Sequence, residues 1–224
     1  IDILGRIIEV DSGLKLDEFL YDNIYKPLNM IDTDFYVPED KHDRFVDCYQ
    51  ELVSKSGNKL KRCHKGGEDI FSKKRNFLSG GGGLCSTLAD YANFCQMILN
   101  EGYFDGKQLL SPITVRFMRE NHLPNNQTMN EMGDDNFSEV RYDGAGFGLG
   151  FSSLIDPVKS MSPLSLGSIS WGGMASTFFW IDPQENLFAI LLTQLIPSGR
   201  YPIRPQAQTL VYSALSELNK NTRL

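Results

Sequence analysis

Apolar residues at positions 1, 4, 7 and 8 give the opening segment Ile1-Asp2-Ile3-Leu4-Gly5-Arg6-Ile7-Ile8-Glu9-Val10 a helical period. The pattern predicts a first helix that ends at Ser12-Gly13, because a glycine just past a helix accepts the left-handed backbone that closes it. A second helix is predicted from about 16 to 25, with Leu16, Phe19, Leu20 and Ile24 on one face and Pro27 as its stop. Residues 44–63 change to the pattern of a hairpin, with arms at 45–53 and 59–63. The run Gly80-Gly81-Gly82-Gly83 then leads into a helix whose Leu88, Tyr91, Ala92, Cys95, Ile98 and Leu99 recur every three or four residues. Thr87 and Asp90 have capping-box spacing ahead of it. Ser111-Pro112 reads as an N-cap and first-turn proline for a short helix through about Asn121.

The polar stretch from about 124 to 141 is longer than most connections in compact domains and is expected to be either disordered or a lid. Beyond it the pattern becomes that of strands at 147–155, 169–181 and 187–195. The last two are joined by Asp182-Pro183-Gln184-Glu185-Asn186 as a turn. Pro205 is expected to open a closing helix with Ala207, Leu210, Val211, Ala214, Leu215 and Leu218 on one face. Helices first, then an antiparallel meander, then a closing helix predict an α+β fold with an antiparallel sheet covered by helices. Strands and helices do not alternate, which disfavours a doubly wound parallel sheet.

Composition narrows the function classes. The 224 residues carry 22 Lys and Arg against 28 Asp and Glu, a net charge of −6, with basic clusters only at 59–62 and 73–75. A nucleic-acid surface is therefore disfavoured and a small-molecule or peptide partner favoured. No apolar run approaches the roughly 18 residues of a membrane span. The four cysteines, Cys48, Cys63, Cys85 and Cys95, have no CxxC spacing. Cys85 and Cys95 read as buried structural residues, and Cys48 and Cys63 are placed to face each other across the hairpin. His42, His64 and His122 are scattered through polar segments, so no metal site and no cofactor is expected.

The glycine run lacks the Lys-Ser/Thr pair of a phosphate-binding loop and is expected to be a tight turn. Ser56-Gly57-Asn58-Lys59 has the S-x-x-K spacing of a serine nucleophile and its lysine, but it falls in a turn between strand-like arms and is read as a decoy. No G-x-S-x-G elbow occurs. In Ser168-Ile169-Ser170-Trp171-Gly172-Gly173-Met174-Ala175-Ser176-Thr177, two glycines interrupt a strand pattern, which calls for something approaching the backbone closely. A ligand, a bulge and a close helix crossing all satisfy that need.

Several segments in order carry a resemblance. They are Ile1 to Glu9 with Ser12-Gly13; Pro27-Leu28-Asn29-Met30 with Asp32-Thr33 and Phe35; and Gly81-Gly82-Gly83-Leu84 with Ser86-Thr87, Asp90-Tyr91 and Phe94. Gly146-Phe147-Gly148-Leu149-Gly150 follows, and then Trp171-Gly172-Gly173, Thr177 and Trp180-Ile181-Asp182-Pro183. Together they resemble the serine hydrolase family of class C β-lactamases, D-alanyl-D-alanine carboxypeptidases and related esterases. The resemblance implies a β-lactamase/transpeptidase-like fold and acyl-enzyme cleavage of an ester or amide, with a non-catalytic binding protein on the same scaffold as the second expectation.

It also implies three motifs: S-x-x-K, a Tyr motif of the Y-x-N type, and a third motif, usually Lys-Thr-Gly or His-x-Gly, on a sheet-edge strand. The first two lie upstream of the segment resembling Ile1 to Glu9. The chain is accordingly expected to be the C-terminal portion of one domain, incomplete at the N-terminus and completed by a preceding segment of the same protein. Within it, 1–141 is expected to be mainly helical with a hairpin insertion, and 142–224 to hold the sheet strands and closing helix. Trp171-Gly172-Gly173 stands at the third motif, with an indole where a cation is usual, in the manner of the esterase branch.

By the same resemblance the Met174 backbone N–H is an oxyanion donor, Gly172 and Gly173 let the acyl group lie against the strand, and Trp171 offers substrate an apolar stacking face. Arg204 is a weaker candidate for a substrate carboxylate contact, a surface arginine being the alternative. The cellular compartment is left open.

Overall fold

In the computed structural model, which describes residues 1–52, 57, 59–65, 70–132 and 142–219, the opening pattern forms α1 (Asp2–Ser12). Gly13 closes it at φ 72°, its N–H donating to Glu9 O at 3.0 Å. Gly5 is the buried residue of α1, and a Cβ there would lie 2.9 Å from Leu16 Cδ2, so its lack of a side chain lets α2 (Leu16–Leu20) pack close. Ile3, Leu4, Ile7 and Val10 are exposed. The second helix is not uniform: α2 passes into a π turn at Tyr21–Tyr25, with Lys26 N–H reaching Tyr21 O at 2.9 Å. Asn23 Nδ2 donates to Phe19 O at 2.8 Å at this junction, competing with the backbone ladder.

The chain divides into two units, Ile1–Met97 with Phe104–Leu109, and Ile98–Tyr103 with Leu110–Leu224. In the first, β1 (Cys48–Leu52) and β2 (Lys59–His64) form the antiparallel hairpin, pairing Leu52 with Lys59 and Cys48 with His64. Cys63 therefore sits beside Cys48, donating from its Sγ to Cys48 O at 3.3 Å, and neither cysteine is in a disulfide. Ser56 and Asn58 of the S-x-x-K match lie outside the described residues, while Lys59 begins β2.

The glycine run is a tight turn. Gly83 N–H reaches Ser79 O at 3.0 Å, and the Asp2 carboxylate accepts from Gly81 N at 2.9 Å and Ser79 Oγ at 2.8 Å. An acidic side chain from the first turn of α1 thus occupies the amide that an anion would need. Thr87 Oγ1 accepts from Asp90 N at 3.2 Å at the start of α3 (Leu88–Leu99). The Asp90 carboxylate does not close the box; it accepts from Asp32 N at 2.7 Å and Thr33 Oγ1 at 2.8 Å.

Asp32 in turn accepts from Arg44 Nη1 at 2.9 Å and from Lys41 Nζ. These two cations, Arg44 first, hold its carboxyl down to about 2. The unfolded value is about 3.9, so the pair stabilises the fold above that pH and loses its contribution as pH falls toward 2. With Arg44 half exposed, Asp32→Asn is expected to cost only about 1 kcal/mol at pH 7. In urea unfolding the difference from the parent should vanish near pH 2; a difference that persists there would assign it to something other than charge.

The short strands β3 (Tyr103–Phe104) and β4 (Lys107–Gln108) precede α4 (Pro112–Arg119), which starts as expected with Ser111 Oγ accepting from Thr114 N at 3.1 Å and Pro112 in the first turn. The polar stretch expected to be disordered or a lid begins with a 3-10 turn at Pro124–Asn126 and α5 (Met129–Met132), and residues 133–141 lie outside the described residues. The sheet of the second unit is antiparallel in the order β5 (Ala145–Phe147), β6 (Ser152–Leu154), β7 (Ile169–Gly172), β8 (Phe178–Asp182), β9 (Leu187–Leu191), with α6 (Pro157–Ser160) between β6 and β7.

Two stretches expected as single strands, 147–155 and 169–181, fold as hairpins. Gly148 and Gly150 make the first turn: a Cβ on Gly148 would lie 2.2 Å from Met118 O, and Gly150 has φ 99°. The second turn closes at Ser176, φ 68°. Leu154, Leu164, Phe178 and Trp180 form the core, packed against Leu187, Ala189 and Leu191 and against Ala207, Val211 and Tyr212 of α7 (Ile203–Ser213). The closing helix thus covers the sheet through a face rotated from the expected one; Leu210 is 71% exposed, and Leu215 and Leu218 lie beyond the helix. No helix among the described residues is long and apolar enough to cross a membrane.

Candidate active site

Strand β7 pairs with β8 along its whole length, Ile169 opposite Ile181 through Gly172 opposite Phe178. On its other side it meets β6 only at Ile169 and Ser170. It is the middle strand of the sheet and not the edge strand expected, but Trp171 and Gly172 run past the end of β6, so that flank has no strand partner among the described residues. The β7–β8 connection is a three-residue loop, Met174-Ala175-Ser176. Gly173 N–H donates to Thr177 O at 3.0 Å, Ser176 N–H donates to Gly173 O at 3.1 Å, and Ser176 supplies the left-handed closing residue this loop length requires.

The loop is tied down on several sides. Ala175 O accepts from Leu195 N at 3.0 Å and Thr193 Oγ1 at 3.3 Å, and Ser176 Oγ donates to Leu195 O at 2.7 Å. Leu195 opens the short strand β10 (Leu195–Ile196). Arg204, in the first turn of α7, donates from Nη2 to Gly173 O at 2.9 Å and to Thr177 O at 3.0 Å. Met174 is 60% exposed, and its N–H, like that of Ala175, meets no acceptor among the described residues.

Arg204 is not the surface arginine considered above. It is half-buried, with its guanidinium 5.3 Å from the centre of the Phe178 ring, a cation–π distance. Arg204 bears on the first glycine of the pair, and Thr177 on the second. A Cβ on Gly172 would lie 2.7 Å from Arg204 Cζ and 2.9 Å from Thr177 O, and one on Gly173 would lie 2.5 Å from Thr177 Oγ1. The atoms close to Gly172 thus include those of a helix side chain, and the atoms close to Gly173 are those of Thr177 across the loop.

Residues 1–212 match the family described as Beta-lactamase. The chain belongs to the β-lactamase family. Protein Rv1367c of Mycobacterium tuberculosis (strain ATCC 25618 / H37Rv) is 33% identical over 200 residues, 88% of this chain and 48% of that protein. Lovastatin esterase of Penicillium rubens is 26% identical over 212 residues, 88% of this chain and 49% of the esterase. The unliganded selenomethionyl structure of Simvastatin Synthase (LovD) from Aspergillus terreus superposes with a TM-score of 0.77 at 22% identity, over 96% of this chain and 55% of that one, a likeness of fold. The chain spans about half the length of the curated relatives it matches.

Around this β-lactamase-family turn, Trp171 belongs to an aromatic group that the sequence reading found only in part. The indole stacks on Tyr142, centroids 5.6 Å apart and planes 12° from parallel, and meets Phe147 edge-on at 5.3 Å. Asn121 holds Phe147: its Oδ1 accepts from Phe147 N at 3.0 Å while its Nδ2 donates to Gln127 O and Asn126 Oδ1, each at 2.9 Å. Gly146 is required here, since its Cβ would lie 2.2 Å from Asn121 Cγ. Asn130 holds the other flank, accepting from Tyr142 N at 3.2 Å and donating to Asp143 Oδ1 at 2.7 Å. The Gly146-Phe147-Gly148 spacing was a visible signal for Phe147 and its close neighbour; Tyr142 and the two asparagines had none.

Cys95 is fully buried and burial pushes its thiol up to about 12, so it carries no thiolate near neutral pH and is a packing residue. His42 and His122 contact the carbonyls of Val37 and Phe117, each at 2.8 Å. Among the described residues no three His, Cys, Asp or Glu side chains gather as metal ligands would.

Proposed function

We propose that this chain supplies the oxyanion turn and the acyl-side wall of a serine hydrolase that cleaves an ester through an acyl-enzyme. The serine, lysine and tyrosine of the family's first two motifs would come from outside these 224 residues. The observation that carries the reading is Met174, 60% exposed, whose N–H meets no acceptor among the described residues, in a loop held by bonds at the Gly173, Ala175 and Thr177 carbonyls and at Ser176 N and Oγ. When a nucleophile adds to an ester carbonyl, negative charge develops on oxygen, and a fixed backbone donor stabilises that charge without reorganising. On the flank where Trp171 and Gly172 have no strand partner among the described residues, the indole, stacked on Tyr142, would offer an acyl chain a rigid apolar wall. An indole in place of the third-motif cation weakens the hold on a β-lactam carboxylate and favours uncharged esters. The name of the Penicillium lovastatin esterase is in keeping with ester cleavage.

The test uses the full-length protein. With p-nitrophenyl butyrate, acid-quenched samples are expected to show one added butyryl group by intact mass, with turnover well above that of nitrocefin. The 224 residues alone are expected to show none. Absence of any acyl adduct together with saturable ester binding would replace the hydrolase by a non-catalytic binding protein on the same scaffold. Turnover by the isolated chain that Ser56→Ala abolishes would overturn both the division of labour and the dismissal of Ser56.

A further inference from the structure

We propose that Arg204 is a positioning residue for the oxyanion turn, acting through the peptide unit that joins Gly173 to Met174. The inference rests on the reading of Met174 as the oxyanion donor and adds what aims that donor. Gly173 O and Met174 N–H belong to one rigid trans peptide plane, in which carbonyl and N–H point in opposite directions. Arg204 Nη2 grips the carbonyl end at 2.9 Å, so it fixes where the N–H end points. Its second bond, to Thr177 O at 3.0 Å, ties the two sides of the loop together across Met174-Ala175-Ser176. The loop's own bonds engage the same two carbonyls, Gly173 O from Ser176 N and Thr177 O from Gly173 N. The guanidinium therefore adds charge-assisted bonds, roughly twice the strength of neutral ones, to an already closed turn. A cation on the carbonyl oxygen also polarises the amide and makes its N–H the stronger donor.

The rest of the setting keeps the guanidinium in place. Phe178 lies beneath it at 5.3 Å, and the absence of a side chain at Gly172 admits Cζ to a position 2.7 Å from where a Cβ would stand. Arg204 itself occupies the packed face of α7, three and seven residues before Ala207 and Val211, so the covering of the sheet by the helix determines its reach.

The experiment compares Arg204→Gln, Arg204→Lys and Gly172→Ala with the parent in the full-length enzyme, on p-nitrophenyl butyrate and on an ester carrying a free carboxylate. Arg204→Gln is expected to lower kcat at least tenfold with KM within about twofold, on both substrates, in protein that is still folded at the assay temperature. Arg204→Lys, a shorter point donor, should retain more activity than Gln, and it decides the matter if Gln does not fold. Gly172→Ala keeps the arginine but displaces it, and its loss should not add to that of Arg204→Gln. Unchanged kcat in the folded arginine variants overturns the proposal, as does a loss confined to KM for the carboxylate substrate, which would make Arg204 a ligand contact. The oxyanion reading fails separately, by equal effects of Met174→Pro and Met174→Ala.

Discussion

Met174→Pro in the full-length protein is expected to lower kcat about 10²- to 10³-fold, roughly 3–4 kcal/mol of transition-state stabilisation, because it deletes the backbone donor proposed for the oxyanion, which no side chain replaces. Met174→Ala keeps the N–H and should lose far less. The position suits the comparison. Met174 is the first residue of a three-residue loop and not an interior strand residue, its N–H meets no acceptor among the described residues, and the residue is 60% exposed, so proline there removes no hydrogen bond among them. Fold stability is checked on each variant by urea unfolding, and kcat is compared on folded protein. Equal losses in the two variants would assign the effect to the side chain and detach Trp171-Gly172-Gly173 from the third motif.

The family was legible in the sequence because its marks are short segments in a fixed order, and those depend on local backbone needs that survive divergence. Gly13 closes α1 in a left-handed turn, the glycines after Ser79 make a tight turn against Asp2, and Asp182 starts the β8–β9 turn, as their residue types require. The two strand hairpins were misread because hydrophobicity continues through their turns. Phe147-Gly148-Leu149-Gly150-Phe151 and Trp171-Gly172-Gly173-Met174 carry large apolar residues into the loops, and the strand period alone does not mark the reversal. The placement of Arg204 was hidden for a different reason. Its polarity suggested a surface or a ligand, while its spacing of three and seven residues before Ala207 and Val211 placed it on the packed face of α7. The face had been drawn through Leu210, and a tertiary contact 31 residues away in sequence decided the matter. Tyr142, Asn121 and Asn130 lay in a polar stretch without periodicity, where only the folded chain shows which side chains hold Trp171 and Phe147.

Asp182→Ala is expected to destabilise the protein by about 3–5 kcal/mol, the largest single-residue stability effect foreseen here. Asp182 is fully buried at the end of β8, and its carboxylate accepts four bonds: from Ser165 N at 3.0 Å, Gln184 N at 3.0 Å, Glu185 N at 3.2 Å and Tyr212 Oη at 2.6 Å. Alanine leaves all four donors without their acceptor, and each buried one costs about 1–3 kcal/mol, with the two turn amides partly recovered by water. Asp182→Asn keeps an acceptor for the turn but presents an amide NH₂ toward Ser165 N–H or Tyr212, so an intermediate loss is expected. Tyr212→Phe removes one donor and should cost about 1.5–3 kcal/mol, as for a hydrogen bond to a charged group. Burial first, and then the bond to Asp182, raise the Tyr212 pKa. The Tyr212 contribution is therefore complete below about pH 10 and declines above it as the unfolded chain ionises, and the Tyr212→Phe difference should shrink in that range. On the proposed reading the anchor bears on the oxyanion turn as well as on stability. Tyr212 and Arg204 stand about two turns apart on α7, so the bond that fastens the helix to the β8–β9 turn also sets how far the guanidinium reaches toward Gly173 O. Loosening it by Tyr212→Phe should lower kcat less than Arg204→Gln does and in the same direction; no change in kcat at a lowered stability would mean that the Phe178 stack and the Gly172 gap hold Arg204 without help from Asp182.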